Sequence, residues 1–357
     1  MTTPVAILAG GTGGHIFPGL AVAQELCERG VPVLWVGARG RMEERLVPAH
    51  GYSIELVDIA ALRGKGLLTL LAAPLRLTRA LWQSIAILRR HRPRAVISFG
   101  GFAAGPGGLA AWLLRRPLLV HEQNSRPGVT NRILARFARH VLLGFPGAFG
   151  GHIRARHVGN PVRAEIAALP APELRAGARH DGVRVLVLGG SQGARALNQG
   201  LPLALASQTT ALAVRHQCGT AEQEATRAAY HAAGVQAQVT PFIDDMAAAY
   251  AWADLVVCRA GALTLAEICA AGVASVLVPL PSAADDHQTF NAEYLVAQGA
   301  AVRVSEGEHF TQRLGEAIAQ LAADPALRLQ RALAARAAAR PAAARDVVEA
   351  ILQEARA

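Results

Sequence analysis

The sequence predicts an α/β protein with two tandem doubly wound, Rossmann-like parallel-sheet domains that face a cleft. Short apolar runs rich in β-branched residues alternate with helical patterns along the chain. This pattern restarts after residue 163, and the first predicted strand of each half runs directly into a cluster of glycines. The length of 357 residues also exceeds the usual size of one domain. We therefore expect two sheets, each covered by helices on both faces.

The first half begins with a predicted strand at residues 5–8, followed by glycines and a helix from about Phe17 to Arg29. Gly30 can adopt the left-handed conformation that ends such a helix. Further strands are predicted at residues 33–36, 95–98 and 118–120.

The second half repeats this order. Strands are predicted at residues 183–188, 255–258 and 275–278, and a helix begins near Ala262. Residues 159–163 and the Pro-, Ala- and Glu-containing stretch up to Gly182 are predicted to connect the halves. The expected domains are residues 1–163 and 164–341, with ligand between them at the carboxyl ends of the strands.

The charge of the chain is unevenly distributed. Residues 1–163 contain 21 basic and 7 acidic side chains, whereas residues 164–357 contain 15 basic and 19 acidic ones. A basic first half indicates an anionic partner, or alternatively only an arginine-rich solvated surface. The four cysteines form no C-x-x-C pair, which is typical of a reducing compartment. No run of about 18 apolar residues is present, so no membrane-spanning segment is expected.

The glycine clusters at residues 10–14 and 189–193 predict phosphate binding. Glycine lets the backbone approach an anion closely, and a following helix directs N–H groups and its dipole at the anion. The alternative is a tight strand-to-helix turn without a ligand. The sequence GPGGLA at 105–110 matches a dinucleotide fingerprint, but Pro106 removes a donor and the match does not follow the first strand. No Walker A sequence and no D-x-D sequence occur.

Six motifs together resemble one known family. They are GGTGGH at 10–15, HEQN at 121–124, GNPVR at 159–163, GGSQGA at 189–194, RAGALTLAE at 259–267, and DDHQ at 285–288 followed by Asn291. In this order they resemble the bacterial lipid I N-acetylglucosaminyltransferases, which belong to the GT-B glycosyltransferase superfamily. The resemblance covers about residues 5–355 and implies a GT-B type fold.

The resemblance also implies a reaction. N-acetylglucosamine is transferred from UDP-N-acetylglucosamine to the 4-hydroxyl of the lipid-linked N-acetylmuramoyl-pentapeptide (lipid I), with inversion at the anomeric carbon. Such a reaction needs a base for the acceptor proton and stabilisation of the departing diphosphate. The implied partners are the nucleotide sugar, lipid I and an anionic membrane surface. The implied location is the cytoplasmic face of the bacterial cell membrane, without membrane spans.

For the donor, the resemblance assigns most contacts to the second domain. The helix near Ala262 would hold the diphosphate with the N–H groups of its first turn, and no metal or other cofactor is expected. Glu267 is implied on the ribose and Gln288 on the sugar. Arg163 would neutralise the diphosphate or instead form a hinge salt bridge. The complete set implied here is Arg163, Ser191 (phosphate), Ile243 (uracil, through its backbone), Ala262, Leu263, Thr264, Leu265, Ala266, Glu267 and Gln288.

In the first domain, Thr12, Gly13, Gly14 and Asn124 are implied to approach the donor. His15 follows the glycine cluster at a helix start, where the positive helix end favours a neutral ring that can accept a proton. His15 is therefore the first candidate for the base. Alternatively, His15 only orients the loop or binds phosphate, and Glu122 is the rival base.

Two residues depart from the family pattern. Phe102 stands where a tyrosine is frequent, so a hydroxyl-dependent role there is not expected. Ala260 stands where a serine is common, so that hydroxyl is expected to be dispensable.

Two further segments carry apolar residues at helical spacing. After Pro341, the stripe Val347, Val348, Ile351, Leu352 and Ala355 predicts a helix, which by resemblance packs back on the first domain. A second stripe predicts either a membrane-surface helix or a helix facing the domain core. Its apolar members are Leu67, Leu70, Leu71, Leu75, Leu81, Trp82, Ile85 and Leu88, and its basic members include Arg76, Arg79, Arg89 and Arg90.

Two other functions stay open at this point. One is a different GT-B enzyme, such as a UDP-sugar epimerase or a transferase outside peptidoglycan synthesis. The other is a nucleic-acid-binding protein, which is disfavoured because aromatic residues make up only 5% of the chain and do not alternate with basic ones.

Overall fold

A computed structural model describes residues 3–59, 73–151, 153–176, 182–190 and 194–356. The chain divides into two compact units. Unit 1 comprises Met1–Val162 and Pro341–Ala357, and unit 2 comprises Arg163–Arg340. The boundary expected at residue 163 lies one residue from this division.

Each unit contains one parallel sheet. In the described part of unit 1 the sheet has seven strands in the order β3-β2-β1-β4-β5-β6-β7, and in unit 2 six strands in the order β10-β9-β8-β11-β12-β13. The strands are β1 (Val5–Ala9), β2 (Val33–Ala38), β3 (Ser53–Val57), β4 (Ala95–Gly100), β5 (Leu118–Glu122), β6 (His140–Leu143), β7 (Ala155–His157), β8 (Val183–Leu188), β9 (Leu212–Gln217), β10 (Ala237–Thr240), β11 (Leu255–Cys258), β12 (Ala274–Leu277) and β13 (Ala301–Arg303).

Helices cover these sheets. They are α1 (Gly13–Glu28), α2 (Met42–Ala49), α3 (Ala73–His91), α4 (Ala104–Leu113), α5 (Val129–Leu134), α6 (Ala164–Ala167), α7 (Pro172–Ala176), α8 (Arg195–Ala206), α9 (Gln223–Ala232), α10 (Met246–Trp252), α11 (Ala262–Ala271), α12 (His287–Ala297), α13 (Phe310–Ala323), α14 (Pro325–Ala338) and α15 (Ala343–Arg356), with 3₁₀ turns at Thr220–Glu222 and Ala284–Asp286.

The strand order places a switch point at the centre of each sheet. The chain turns from one half of the sheet to the other between β1 and β4 in unit 1, and between β8 and β11 in unit 2. Parallel α/β sheets bind ligands outside the carboxyl ends of the strands at such points. Gly10 directly follows β1, and Gly189 directly follows β8, so the start of each glycine cluster lies at the switch point of its own sheet. The predicted α/β class, with one doubly wound parallel sheet in each of two units, is confirmed.

The two faces of the first sheet have separate cores, because alternate residues of a strand point to opposite faces. Val5 and Ile7 pack with α1 and α15, whereas Ala6 and Leu8 pack with α3 and α4. Both faces of β1 are therefore fully covered, as its continuous apolar sequence requires.

The first helix differs from its prediction. We expected it to begin near Phe17, but α1 begins at Gly13, with Thr12 in extended conformation at its N-cap position. The last two glycines and His15 thus form the first helical turn instead of a loop. Two short helices, α6 and α7, also occupy the region expected to be a plain linker.

The C-terminal helix packs on unit 1. In α15, the side chains of Val347, Val348 and Ile351 are fully buried in the core that also contains α1. The Glu354 carboxylate lies 2.7 Å from Arg139 Nη1 and 2.9 Å from His140 Nε2. These contacts are those expected of a helix that crosses back to the first domain.

The second apolar stripe is divided between core and solvent. In α3, Leu88 is buried and Leu81 and Ile85 pack against the core, so the alternative in which the whole stripe faces a membrane is wrong. Leu75 and Trp82 are exposed, so the whole stripe does not face the core either. The remaining predicted members, Leu67, Leu70 and Leu71, lie outside the described residues. No helix in the described ranges is both long and apolar enough to cross a bilayer.

Candidate functional site

Three loops of unit 1 meet at the carboxyl ends of the central strands β1, β4 and β5. A Cβ atom on Gly101, after β4, would lie 2.3 Å from the carbonyl oxygen of Gly10, after β1. Only glycine therefore permits this close approach of the two loops, and Gly101 also adopts a positive φ of 96°. The first glycine cluster thus takes part in packing between loops in addition to any ligand contact.

The first turn of α1 carries the residues predicted at the first glycine cluster. Thr12 and Gly14 are exposed and Gly13 is half-buried. No acidic side chain lies in this turn and no side chain caps it. A helix start of this kind directs N–H groups and a positive dipole end outward, so it can bind an anion.

His15 lies in the same turn. Its Nδ1 atom is 3.1 Å from the carbonyl oxygen of Gly10 and 3.5 Å from the hydroxyl of Thr12. The ring packs against the end of β4, where a Cβ atom on Gly100 would lie 3.3 Å from it. The half-buried ring therefore contacts the Gly10 carbonyl and the last residue of β4, and it lies at the helix start.

Glu122, the rival base, is buried at the end of β5 and accepts four hydrogen bonds. Its Oε1 atom accepts from the backbone and side-chain nitrogens of Asn124, at 2.9 and 3.2 Å. Its Oε2 atom accepts from Gly128 N at 3.2 Å and Asn131 Nδ2 at 3.0 Å. Burial raises the pKa of this carboxyl, and these hydrogen bonds oppose that rise. The arrangement favours a role in holding the loop over one in proton transfer.

Asn131 connects these loops and was not among the predicted residues. Its amide nitrogen also donates to the carbonyl of His121, and its Oδ1 atom accepts from Ser98 Oγ at 3.1 Å. Ser98 Oγ in turn lies 3.3 Å from Gly100 N. The position of Asn131 on α5 gave no motif signal, because its partners are distant in sequence.

The HEQN and GNPVR motifs contact each other within unit 1. His121 Nε2 lies 2.9 Å from the carbonyl oxygen of Gly159, and Asn160 Nδ2 donates to the carbonyl of Gln123 at 3.0 Å. Gln123 Nε2 lies 3.1 Å from His121 Nδ1. Burial lowers the pKa of His121 to about 4, so the ring is neutral at pH 7. Some residues of these two motifs therefore serve to hold the two segments together.

In unit 2, Gln217 at the end of β9 holds the start of the second glycine cluster. Its Oε1 accepts from Gly190 N, and its Nε2 donates to the carbonyls of Gly190 and Pro241, each at 3.1 Å. Pro241 directly precedes Phe242 and Ile243, the segment predicted beside uracil. Ile243 is half-buried. Ser191, the predicted phosphate contact, lies outside the described residues.

The helix α11 begins at Ala262, as predicted, with Gly261 at its N-cap position and no side-chain cap. Its start therefore leaves the first-turn N–H groups of Ala262, Leu263 and Thr264 for an anion. Leu265 differs, because its side chain is fully buried and its N–H donates to the carbonyl of Gly261. We therefore expect Leu265 and the half-buried Ala266 that follows it to shape the helix rather than donate to a ligand.

Glu267 and Arg163, for which separate ligand contacts were implied, contact each other in unit 2. The Arg163 guanidinium donates to Glu267 Oε1 from Nη2 at 2.7 Å and from Nε at 3.2 Å, and the Tyr250 hydroxyl donates to Oε2 at 3.2 Å. Burial raises the pKa of the Glu267 carboxyl, and Arg163 and Tyr250 oppose the rise. Three of about four acceptor positions of the carboxylate are thus used.

Two further polar side chains follow β11 and β12, namely Arg259 and Gln288. Gln288 on α12 is half-buried, and its Oε1 accepts from Leu280 N at 3.0 Å, so its amide nitrogen is the donor end. Arg259, for which the motifs implied no separate role, donates to Glu306 at 2.5 Å and to the carbonyls of Val278 and Pro279. Arg259 therefore ties the end of β11 to the end of β12.

The two residues that depart from the family pattern, Phe102 and Ala260, differ in exposure. Phe102 is 39% exposed, and the guanidinium of Arg41 lies over its ring, 5.6 Å from the centroid. Ala260 is fully buried, and its carbonyl accepts from Asn291. Among the described residues, no group of His, Cys, Asp and Glu side chains is arranged to hold a metal ion.

Comparison with known proteins identifies the family. The N-terminal domain model of glycosyltransferase family 28 matches residues 5–143, and the C-terminal domain model matches residues 184–347. The chain is 63% identical over 353 residues to the UDP-N-acetylglucosamine--N-acetylmuramyl-(pentapeptide) pyrophosphoryl-undecaprenol N-acetylglucosamine transferase of Xanthomonas axonopodis pv. citri (strain 306), covering 99% of this chain and 82% of the relative. It is 58% identical over 354 residues to the protein of the same name from Xylella fastidiosa (strain M12), covering 98% and 96%.

Solved structures agree with this assignment. The crystal structure of MurG from Acinetobacter baumannii superposes with a TM-score of 0.85 at 40% identity, over 98% of this chain and 99% of that one. The glycotransferase of kitacinnamycin superposes with a TM-score of 0.72 at 17% identity, over 99% of each chain, which shows a shared fold alone. The chain therefore belongs to glycosyltransferase family 28 and, within it, to the MurG family of N-acetylglucosamine transferases.

Proposed function

We propose that this chain transfers N-acetylglucosamine from UDP-N-acetylglucosamine to the 4-hydroxyl of the N-acetylmuramoyl-pentapeptide on pyrophosphoryl-undecaprenol, with inversion. The observation that carries this proposal is the 58–63% identity, over nearly the whole chain, to relatives named for that reaction. The two glycine clusters at the switch points of two sheets support it, because each can bind a phosphorylated ligand.

Unit 2 is the proposed donor-binding unit. The first turn of α11 and the loop held by Gln217 bind the diphosphate through N–H groups, and the helix dipole offsets the charge that develops on UDP. Ser191, Ile243 and Gln288 supply the phosphate, uracil and sugar contacts expected from the motifs. Glu267 contacts the ribose through its remaining acceptor position, while Arg163 and Tyr250 fix its orientation.

Unit 1 is the proposed acceptor-binding unit, and His15 is the proposed base. The acceptor hydroxyl gives its proton to the imidazole while its oxygen forms the new bond to the anomeric carbon. The bond from that carbon to the diphosphate breaks at the same time, and its electron pair leaves with UDP. Thr12, Gly13 and Gly14, which directly precede this base, and Asn124 contact the donor sugar or phosphate.

A membrane surface is the third proposed partner. Exposed apolar side chains lie on α3, α4 and α5, three helices that pack on the same face of the first sheet. We call the following set the apolar patch: Leu75, Leu77, Trp82, Trp112, Leu113, Val129 and Ile133. Exposed arginines accompany it, including Arg76 and Arg89. Apolar and aromatic side chains with arginines are typical of peripheral binding to anionic membranes.

The experiment is a transfer assay with UDP-N-acetylglucosamine and a lipid-linked acceptor analogue, with and without a chelator. We expect the disaccharide product and UDP in both conditions, because N–H groups and helix ends hold the diphosphate. A loss of turnover in chelator that magnesium or manganese restores would overturn the metal-free mechanism. An epimerised UDP-sugar or free sugar formed without acceptor would favour the epimerase alternative. Salt-sensitive binding to duplex DNA would favour the nucleic-acid alternative.

A further inference from the structure

The carboxylate of Glu43 in unit 1 has no role in the function proposed above. This side chain, on α2, is fully buried, and each of its oxygens accepts a backbone N–H. Oε1 accepts from Ala38 N at 3.0 Å, and Oε2 accepts from Gly11 N at 2.9 Å. Burying a carboxylate costs free energy unless hydrogen bonds compensate for the lost water. The buried position of Glu43 next to the first glycine cluster therefore indicates a specific function for this side chain.

The peptide group that Glu43 contacts is the same one that contacts His15. The N–H of Gly11 and the carbonyl of Gly10 belong to one peptide unit. The carbonyl oxygen lies 3.1 Å from His15 Nδ1. Because N–H and C=O point in opposite directions in a trans peptide, this unit lies between the carboxylate and the imidazole. The three groups form a continuous hydrogen-bonded series.

Packing holds this peptide from both sides. A Cβ atom on Gly10 would lie 2.1 Å from Glu43 Oε1, and one on Gly101 would lie 2.3 Å from the Gly10 oxygen. The preceding carbonyl, of Ala9, accepts from Trp35 Nε1 at 2.8 Å. The orientation of the peptide, and with it that of the His15 ring, is therefore fixed by neighbours of defined shape.

The carbonyl partner determines the tautomer of His15. A carbonyl oxygen only accepts, so Nδ1 carries the proton and Nε2 is the nitrogen that can receive one. When Glu43 accepts the N–H of this peptide, it polarises the group and makes the carbonyl oxygen a stronger acceptor. That oxygen then stabilises the imidazolium formed by proton transfer, as a carboxylate does in a direct carboxylate–histidine pair.

We propose that Glu43 is a positioning residue that acts on His15 through the Gly10–Gly11 peptide, setting the ring tautomer and raising its basicity. This inference rests on the proposed function of His15 as base. Among the residues that the structure describes, three charged side chains face this end of the sheet from neighbouring elements. They are Glu43 from α2, Arg41 from the turn before α2, over the Phe102 ring, and Glu122 from β5, reached through Asn131.

The test is Glu43→Gln in the full chain. Glutamine keeps the shape but offers one acceptor oxygen, so one of the two N–H groups loses its partner. We expect the pKa of His15, measured by NMR titration of the imidazole, to fall by about one unit. We expect kcat to fall by about tenfold or more, with UDP affinity unchanged within about twofold. The matched control is Glu44→Gln, because Glu44 is the next residue, is half-buried, and bonds to Gly40 N without contacting the glycine cluster.

A double variant tests the route of the effect. If Glu43 acts through His15, then Glu43→Gln causes no further loss of kcat in a His15→Ala background. An equal further loss in that background, or an unchanged His15 pKa in folded Glu43→Gln, would overturn the proposal.

A measurement on the unmodified chain needs no variant to fold. Imidazole ¹⁵N shifts must show a protonated Nδ1 in the neutral ring, and a protonated Nε2 would contradict the proposal. Full transfer activity in His15→Ala would instead refute His15 as the base, and the NMR results would still decide whether Glu43 and His15 are coupled.

Discussion

The Arg163 guanidinium donates two hydrogen bonds to one oxygen of the Glu267 carboxylate, with Nη2 at 2.7 Å and Nε at 3.2 Å. Glu267 is 4% exposed, and its other oxygen accepts from the Tyr250 hydroxyl. The ribose contact that we propose for Glu267 therefore depends on a charge partner, Arg163, which is the first residue of unit 2 and directly follows the GNPV residues of unit 1.

This pairing predicts coupled losses of donor affinity. We expect Glu267→Ala to weaken UDP binding roughly thirtyfold, because one charge-assisted hydrogen bond to a ribose hydroxyl contributes about 2 kcal/mol. Arg163→Ala should weaken it less, and the double variant should lose less than the two single losses combined. Calorimetric titration with UDP measures all three. Glu293→Ala, which removes an exposed carboxylate 3.1 Å from Arg303, is the control and should bind like the parent. Strictly additive losses would show that the two residues act independently.

Gln217 should matter for donor binding although it is itself buried. Gln217→Ala removes the hydrogen bonds to Gly190 and Pro241, so the segments for which we propose phosphate and uracil contacts lose their shared support. We expect UDP affinity to fall by about tenfold. Gln208→Ala is a matched control, because its amide also donates to two backbone carbonyls, those of Ala204 and Gly315. Equal losses in both variants would indicate a general effect of destabilisation.

Stability should fall in mild acid because each unit contains a buried neutral histidine. Burial lowers the pKa of His121 to about 4 and that of His216 to about 3, from an ordinary value near 6.5. At a pH between the folded and the unfolded pKa of such a histidine, the unfolded chain binds more protons than the folded one. The free energy of unfolding therefore decreases as the pH falls from 6.5 towards 4. From pH 7 to pH 5 we expect a loss of about 2 kcal/mol per histidine.

Hydrogen exchange followed by mass spectrometry can measure this loss in β5 and β9 separately. His121→Gln should make the pH dependence shallower in β5 alone. The exposed His231 provides the control, and His231→Gln should leave both strands unchanged. Protection that stays constant down to pH 5 in the parent would contradict the prediction.

The C-terminal helix should contribute directly to the stability of unit 1. Ile351 is fully buried against the α1 side of the sheet, so Ile351→Ala should cost about 2–4 kcal/mol in the free energy of unfolding. Its neighbour Leu352 is only half-buried, and Leu352→Ala should cost less. Urea unfolding monitored by hydrogen exchange in α1 and β4 measures both. Unchanged protection of those elements in Ile351→Ala would mean that α15 is dispensable for unit 1.

The arginines that accompany the apolar patch should contribute to binding to anionic vesicles. Arg79 lies 2.8 Å from Asp58, and Arg90 lies 3.4 Å from Glu55, so Arg76 and Arg89 are the better charge variants. We expect Arg76→Gln with Arg89→Gln to weaken sedimentation with anionic vesicles by about tenfold or more, since each basic residue contributes about 1 kcal/mol.

Apolar variants separate insertion from charge attraction. Leu75→Ala with Trp82→Ala should weaken vesicle binding while UDP affinity stays unchanged. Leu203→Ala, which removes a 61% exposed leucine of unit 2, is the control and should sediment like the parent. Equal sedimentation of the patch variants and the parent would place the membrane-binding surface elsewhere on unit 1.

Local patterns in the sequence predicted the fold class because the sheets are parallel and buried. Strands covered on both faces are continuous apolar runs, so β8 and β11 match their predicted ranges, 183–188 and 255–258, residue for residue. Six strands of the described part of the chain were not predicted: β3, β6, β7, β9, β10 and β13. In β3, β7 and β10 most residues are only partly buried and the sequences are mixed. The start of α1 was misplaced because glycines in a first helical turn resemble a loop.

For the candidate site too, the sequence predicted some features and the tertiary structure alone revealed others. Motifs identified His15, Glu122, Arg163 and Glu267 as residues of interest, since each lies next to a glycine cluster, a strand end or a helix start. No sequence pattern revealed that Arg163 pairs with Glu267, that Glu122 accepts four N–H groups, or that Glu43 lies beneath Gly10. Arg163 and Glu267, and likewise Glu43 and Gly10, are tens of positions apart in the sequence. The partners of Glu122 lie nearer along the chain, but they too reach its carboxylate only through the fold of the loop after β5. Sequence alone thus determined which residue types are present at the strand ends, whereas tertiary packing decided which of them are already engaged with one another.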